Sequence, residues 1–244
     1  MTLKEKGSLF IVATPLGNLK DITLRALEVL KGSDLIAAED TRRTQKLLSA
    51  YDLHIPLTSY HENNKIKKIP FLIERLKQGH QISLVTDGGT PGISDPGREL
   101  VRAAQEEKIL VVPIPGPSAL TCGLSASGLP GDSFVFLGFL PRRKSRRRKI
   151  LEEMKNQTRT VILYESPHRI RELLREIQEV MGEREAVLAR ELTKVYEEIL
   201  RGPISQLMAH LAVREAKGEF CLLLSPPQTA KDQESDDPIG DRLL

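Results

Sequence analysis

Short apolar runs alternate along the chain with longer stretches in which apolar positions recur at helical spacing. The runs are Ser8–Ala13, Ser33–Ala38, Pro56–Tyr60, Ile82–Val85 and Ile109–Val112, followed by Phe134–Phe139, Thr160–Tyr164, Ala186–Ala189 and Glu219–Leu224. Several are apolar throughout rather than alternating, as in strands covered on both faces by helices. Between them, Leu24, Leu27 and Leu30 predict a helix capped at Asp21 and closed by Gly32. Leu47 and Leu48 predict a second behind Asp40, and Ile66, Ile69, Leu72, Ile73 and Leu76 a third ending at Gly79. Leu100, Val101 and Ala104 predict a fourth, with Asp95 as cap and Pro96 in its first turn. Further on, Ile170, Leu173, Leu174 and Ile177 mark a helix entered through Ser166 and Pro167. Alternating strands and helices imply an α/β fold with a mixed or parallel sheet in each half, parallel in the first, so the loops after its strands gather on one rim, where open α/β sheets bind ligands.

Those loops are unusual. After the strand at Ile82–Val85, residues Asp87–Gly97 hold four glycines and two prolines. Glycine permits positive φ and close backbone approach, while proline fixes φ, so such a loop is open yet shaped. It has neither the Lys-Ser/Thr ending of a P-loop nor a G-x-G-x-x-G pattern, which argues against nucleotide phosphate as its ligand. Pro113–Ala119 repeats the Pro/Gly enrichment, and Glu39–Arg43 places dense opposite charges directly after a strand. Gly128-Leu-Pro-Gly131 interrupts the pattern, which places an N-terminal α/β domain at residues 1–120 and a C-terminal one at 121–226. Residues 227–244 are polar and acidic and read as a disordered tail.

With 244 residues, 40% of them apolar and 4% aromatic without Trp, the chain has enough material for aliphatic cores but few stacking platforms for bases. The net charge of +3 does not itself announce a polyanion partner, but its distribution does. Residues 119–226 carry a net +4 and the segment from Pro227 a net −3. Seven of the eight side chains in Arg142, Arg143, Lys144, Ser145, Arg146, Arg147, Arg148 and Lys149 are cationic, with no acid among them. Without interleaved aromatics, this run suits phosphates rather than base sequence. Cys122 and Cys221 lie among small or apolar neighbours without metal-ligand spacing, so they read as buried free thiols, and no metal is expected. Neither a secretory leader nor an apolar run of membrane-spanning length is present, so a cytoplasmic protein with no membrane partner is expected.

Taken together, Val12–Asn18, Ala38–Arg42, Thr86–Gly97, Pro115–Ala119, Tyr164–Arg169 and Ala189–Lys194 resemble the 16S rRNA ribose 2′-O-methyltransferase branch of the tetrapyrrole methylase superfamily. The resemblance spans about residues 8–226 and rests on several motifs in order. It implies two α/β domains with S-adenosylmethionine between them, a homodimer, and 16S rRNA or the small ribosomal subunit as partner. The target it implies is the 2′-oxygen of a decoding-centre cytidine. By position, it implies cofactor contacts at Pro15, Asp87, Gly88, Gly89, Thr90, Pro91, Ile93, Ser118 and Ala119, and at Tyr164, Ala189, Arg190 and Pro226. Thr90 stands where the wider superfamily carries Asp, as is usual for the rRNA branch.

A ribose hydroxyl is a poor nucleophile at neutral pH and needs a proton acceptor. Asp40, His61, Glu62 and Glu165 are candidates that the sequence does not rank, while Arg42 and Arg169 suit phosphate or ribose. A tetrapyrrole methyltransferase would share the cofactor loops but has no use for the basic run. A non-catalytic RNA-binding protein would leave Thr86–Gly97 unexplained, and a metabolite sensor would keep the pocket without the chemistry.

Overall fold

In a computed structural model, which describes residues 7–213 and 216–227, the chain divides into two compact units. The first is Met1–Cys122 with Leu192–Val195, and the second is Gly123–Glu191 with Tyr196–Leu244. The first unit runs β1 (Ser8–Val12), α1 (Leu24–Lys31), β2 (Leu35–Ala38), α2 (Thr41–Ala50), β3 (Leu57–Ser59), α3 (Lys65–Lys77), β4 (Ile82–Val85), α4 (Arg98–Glu106) and β5 (Leu110–Ile114). Next comes α5 (Ala119–Ser127), which straddles the division. The second unit contains β6 (Phe134–Phe139), α6 (Lys144–Met154), β7 (Thr160–Glu165), α7 (Ile170–Met181), β8 (Glu185–Arg190), β9 (Glu198–Pro203), α8 (Ile204–Ala212) and β10 (Phe220–Leu224).

The first sheet has the order β3-β2-β4-β1-β5, and all its pairings are parallel. Both faces are buried, as the apolar runs require. Leu9, Ile82 and Leu84 pack with Leu72, Leu76, Leu100 and Ala104 of α3 and α4. Val12, Ile36, Ala38, Val85 and Ile114 pack with Ala26, Leu30, Leu47 and Leu48 of α1 and α2. Register then fixes the rim. Ala38 pairs with Val85 and with Ser59, so Glu39, Thr86 and Tyr60 follow side by side at the carboxyl ends of β2, β4 and β3.

The second sheet, β6-β7-β10-β8-β9, is mixed: β6 and β7 are parallel, while β10 runs antiparallel to β7 and β8, and β8 to β9. Its core joins Leu163, Leu188 and Leu222 of the sheet to Leu173, Leu174 and Ile177 of α7.

Several local expectations are corrected. Thr23, not Asp21, caps α1, its Oγ1 accepting the Ala26 N–H at 3.1 Å, because Leu19–Asp21 form a separate 3₁₀ turn. Helix α4 is entered at Gly97 rather than through Asp95 and Pro96. Strand β5 continues to Ile114 through Pro113, which an edge strand tolerates because a missing N–H costs it no ladder bond. The basic run supplies the first half of helix α6. Strand β9 and helix α8 were not foreseen: β9 is an edge strand with alternating exposure that ends in Gly202 and Pro203. Neither cysteine is in a disulfide, and Cys122 is only half-buried. Among the described residues no helix is long and apolar enough to cross a membrane. The expected tail, apart from Pro227, lies outside the described residues.

Candidate functional site

The loops leaving β1, β4 and β5 are laced into one platform. Thr14 N–H donates to the Gly89 carbonyl at 2.9 Å and Gly89 N–H to the Thr14 carbonyl at 2.8 Å. Thr14 Oγ1 donates to the Thr86 carbonyl at 3.0 Å, and Thr90 Oγ1 to the Pro117 carbonyl at 3.2 Å. The approach is close: a Cβ on Gly88 would lie 3.2 Å from Pro15 O, and one on Gly116 3.0 Å from Ala13 Cβ. Gly89 also sits at φ +95°, a conformation that L side chains rarely adopt. Pro15, Gly88, Thr90, Ser118 and Ala119 are half-buried, Gly89 and Pro91 buried, and Ile93 is 41% exposed at the loop tip. The first bond of α5 runs from Cys122 N–H to Ser118 O at 2.9 Å, so the amides at its start have no helical acceptor.

Beside this platform, at the ends of β2 and β4, lies a charged cluster. Glu39 Oε2 accepts the Thr86 hydroxyl at 2.6 Å and the Asp87 N–H at 3.4 Å. Asp87 Oδ1 accepts the Asp40 N–H at 3.0 Å, and its Oδ2 lies 3.5 Å from Arg43. Burial, reinforced by the Glu39 charge, pushes the Asp87 carboxyl up, against the lowering influence of the Asp40 N–H and Arg43. A cavity of about 190 Å³ opens next to it, walled by the Thr14–Leu19 loop on one side and by Arg43, Thr44, Lys46 and Leu47 of α2 on the other. Another, of about 380 Å³, lies between Pro91, Gly92 and Gly97 and the Arg98 end of α4. Glu39 and Arg43 were marked from the sequence only as the ends of the charged segment Glu39–Arg43, and Lys46 was not singled out. Their available signal was position, a carboxylate closing a strand and two cations one helical turn apart.

The proton-acceptor candidates fare differently. Asp40 caps α2 and is gripped by Arg42, whose Nε and Nη2 approach at 3.1 and 2.8 Å. That hydrogen bonding holds the Asp40 carboxyl down at about 2. Arg42 is correspondingly paired with Asp40, although 87% exposed, and a phosphate would have to displace that carboxylate. His61 is held by Asn64, whose Oδ1 accepts its backbone N–H at 2.9 Å and whose Nδ2 lies 3.1 Å from its Nε2. Glu62 is exposed and bound to Lys65 at 2.9 Å; Lys65 also reaches Glu99 at 2.6 Å. Both follow β3, the edge strand farthest from β1 and β5.

In the second unit, Glu165 ends β7 with a fully buried side chain. One oxygen accepts the Ser166 N–H at 2.7 Å and the other faces Arg169 at 3.3 Å. Arg169 in turn donates to the Leu140 carbonyl at 2.9 Å. The pair is a strut joining β7, α7 and the segment after β6. Tyr164 packs edge-on to Phe136 and Phe139, with ring centroids 5.0 and 5.7 Å away. Ala189 is buried in β8, Arg190 pairs with Glu198 at 3.1 Å, and Pro226 is half-buried just after β10.

Of the basic run, Arg142, Arg143, Lys144, Arg146 and Lys149 are exposed. Arg147 is not: it is 3% exposed and clamps Glu176 at 2.5 and 2.8 Å and Glu172 at 2.7 Å. Its assignment to RNA is therefore withdrawn. Arg148 is partly committed to Glu179 at 2.8 Å. Among the described residues no group of three or more His, Cys, Asp or Glu is placed to hold a metal.

Residues 8–208 match the model of the tetrapyrrole (corrin/porphyrin) methylases. The chain belongs to the tetrapyrrole methylase family. A family relative from Halalkalibacterium halodurans, named ribosomal RNA small subunit methyltransferase I, is 51% identical over 90% of this chain and 76% of its own length. A protein of the same name from Thermotoga maritima is 47% identical over 90% of this chain and 98% of its own length. Among solved structures the methyltransferase CobJ superposes with a TM-score of 0.70 at 16% identity, covering 91% of this chain and 95% of that one. The uroporphyrin-III C-methyltransferase of Thermus thermophilus, in complex with S-adenosylhomocysteine, superposes with a TM-score of 0.65 at 16% identity, covering 89% and 97%. These likenesses establish the tetrapyrrole methylase fold.

Proposed function

We propose that this chain transfers the methyl group of S-adenosylmethionine to a ribose hydroxyl of small-subunit ribosomal RNA, the 2′-oxygen of a decoding-centre cytidine. The observation that carries this reading is the 51% identity, over nine-tenths of the chain, to a relative named for methylation of that RNA. The platform suits the cofactor: amides at the start of α5 offer donors to carboxylate or hydroxyl oxygens, and Pro91 and Ile93 offer apolar surface. Pro15, Asp87, Gly88, Gly89, Thr90, Pro91, Ile93, Ser118 and Ala119 would hold it in the first unit.

When bound, the cofactor supplies a methyl group already activated on a sulfonium. The chain's own work is then to position the acceptor oxygen, exclude water and take up the hydroxyl proton; such positioning can be worth about 7–11 kcal/mol. The exposed cations at Arg142, Arg143, Lys144, Arg146 and Lys149 would grip the RNA backbone, a use that a small macrocyclic acceptor would not have for them. We further propose a cytoplasmic homodimer, checked by light scattering of the purified protein. Incubation with methyl-labelled S-adenosylmethionine and small ribosomal subunits or naked 16S rRNA tests the reading. Label should appear as 2′-O-methylcytidine after nuclease digestion, and label in neither RNA would refute it.

A further inference from the structure

Three carboxylates meet at the ends of β2 and β4, and two of them are spoken for. Glu39 is occupied by the Thr86 hydroxyl and the Asp87 N–H, and Asp40 by the Arg42 guanidinium. Asp87 differs. Its Oδ1 takes the Asp40 N–H, while its Oδ2 faces Arg43 at 3.5 Å, and the residue lines the 190 Å³ cavity. Arg43 and Lys46 line the same cavity from α2, three residues apart and therefore on one helix face. The opposite wall, Pro15, Leu16 and Gly17, belongs to the platform already described. One carboxylate oxygen, two cations and an apolar wall are the complement of one sugar-phosphate unit.

We propose that this cavity is the subsite for a single ribose-phosphate of the acceptor RNA, with Arg43 and Lys46 on the phosphate and Asp87 Oδ2 accepting a hydrogen bond from the ribose hydroxyl. Arg43 stands between the two anions and offsets their repulsion. This rests on the proposed RNA-directed function and makes it specific: the exposed face of α6 grips backbone at large, while this cavity holds one nucleotide. It also moves the role of the Asp87 side chain from the cofactor to the RNA, leaving its backbone within the cofactor loop.

The test uses the full chain and a fluorescein-labelled single-stranded oligoribonucleotide, with its 2′-deoxy counterpart. Lys46→Ala and Arg43→Gln should each flatten the plot of log affinity against log salt by roughly 0.7, the loss of one phosphate contact on a single strand. Asp87→Asn should leave that slope intact and shrink the preference for RNA over DNA. S-adenosylmethionine affinity, read by calorimetry, should be unchanged in Lys46→Ala, and Arg43→Lys should restore the slope that Arg43→Gln loses. An unchanged slope in both cation variants, or cofactor affinity falling in step with RNA affinity, would overturn the subsite. A wild-type chain that binds RNA yet never methylates it would instead overturn the proposed reaction.

Discussion

Replacing Arg147 by Met probes the difference between a basic run and a basic surface. Arg147 lies inside α6 with its guanidinium on both oxygens of Glu176, which is 2% exposed, and on Glu172. It also donates to the carbonyls of Pro141 and Arg142 at 3.4 and 3.2 Å, pinning the entry to the helix. Removing it leaves a buried carboxylate that Arg147 had held below its usual pKa. Breaking such a pair costs about 3–5 kcal/mol. Lys144, 3.9 Å from Glu176, can swing in and keeps the expected cost near the lower figure. At about 2–4 °C per kcal/mol for a chain of this size, Arg147→Met should lower Tm by roughly 6–12 °C. Arg146→Met, on the exposed face, should stay within about 0.5 kcal/mol of wild type. The double variant Arg147→Met/Glu176→Leu should recover most of the loss, since a packed apolar pair replaces a buried ionic one at little cost. Calorimetric scans of the four proteins, with salt titrations of RNA binding well below Tm, decide the matter. A melting point for Arg147→Met within about 2 °C of wild type, or a salt slope that drops as it does for Arg146→Met, would show that the side chain serves RNA after all.

Three further outcomes follow from the platform and its acids. Gly88→Ala forces a Cβ against Pro15 O at 3.2 Å, so cofactor affinity by calorimetry should fall while the salt slope of RNA binding stays put; the misfit should cost about 1–3 kcal/mol of stability. Asp40→Asn keeps the helix cap and removes the carboxylate. Asp40 has a depressed pKa, so its contribution to stability is present above the usual value of 3.8 and lost as pH falls toward about 2. The variant should accordingly lie below wild type near neutral pH and converge on it through that window in pH-dependent melts. Asp87 has the opposite sign: faced by Glu39, Asp40 and Arg43, its carboxyl is raised, so wild type loses stability as pH rises through that value. Asp87→Asn should therefore gain in Tm relative to wild type at neutral pH and lose that gain in acid, even as it loses preference for RNA.

The parallel first sheet was legible because its central strands are buried on both faces and so are almost wholly apolar: Ile36–Ala38 and Ile82–Val85 admit few other readings. Strand β9 escaped because an edge strand faces solvent along one side, and Glu198-Ile-Leu-Arg-Gly-Pro203 carries no continuous apolar signal. The loop after β4 announced itself through its glycines and prolines, and the close backbone contacts at Gly88 and Gly89 account for two of them. Charge was harder to read. The run Arg142–Lys149 looks uniform in one dimension, but a helix turns 100° per residue and carries Arg147 inward onto α7 while Arg146 stays in solvent. Likewise Glu165 and Arg169 look reactive as isolated letters and prove to be each other's partners, four residues apart. Asp40 and Asp87 are indistinguishable by type. Only the distances show that Arg42 quenches one and that burial beside Glu39 lifts the other.

In the proposed function a tetrapyrrole methylase fold serves ribosomal RNA. Its most direct measurement is the position of methyl label in small-subunit RNA after reaction with the purified chain and labelled S-adenosylmethionine. The account predicts one ribose 2′-O-methyl group per subunit, on a decoding-centre cytidine, with cofactor binding demonstrated separately by calorimetry. Cofactor bound tightly while label passes to a tetrapyrrole and not to RNA would contradict it.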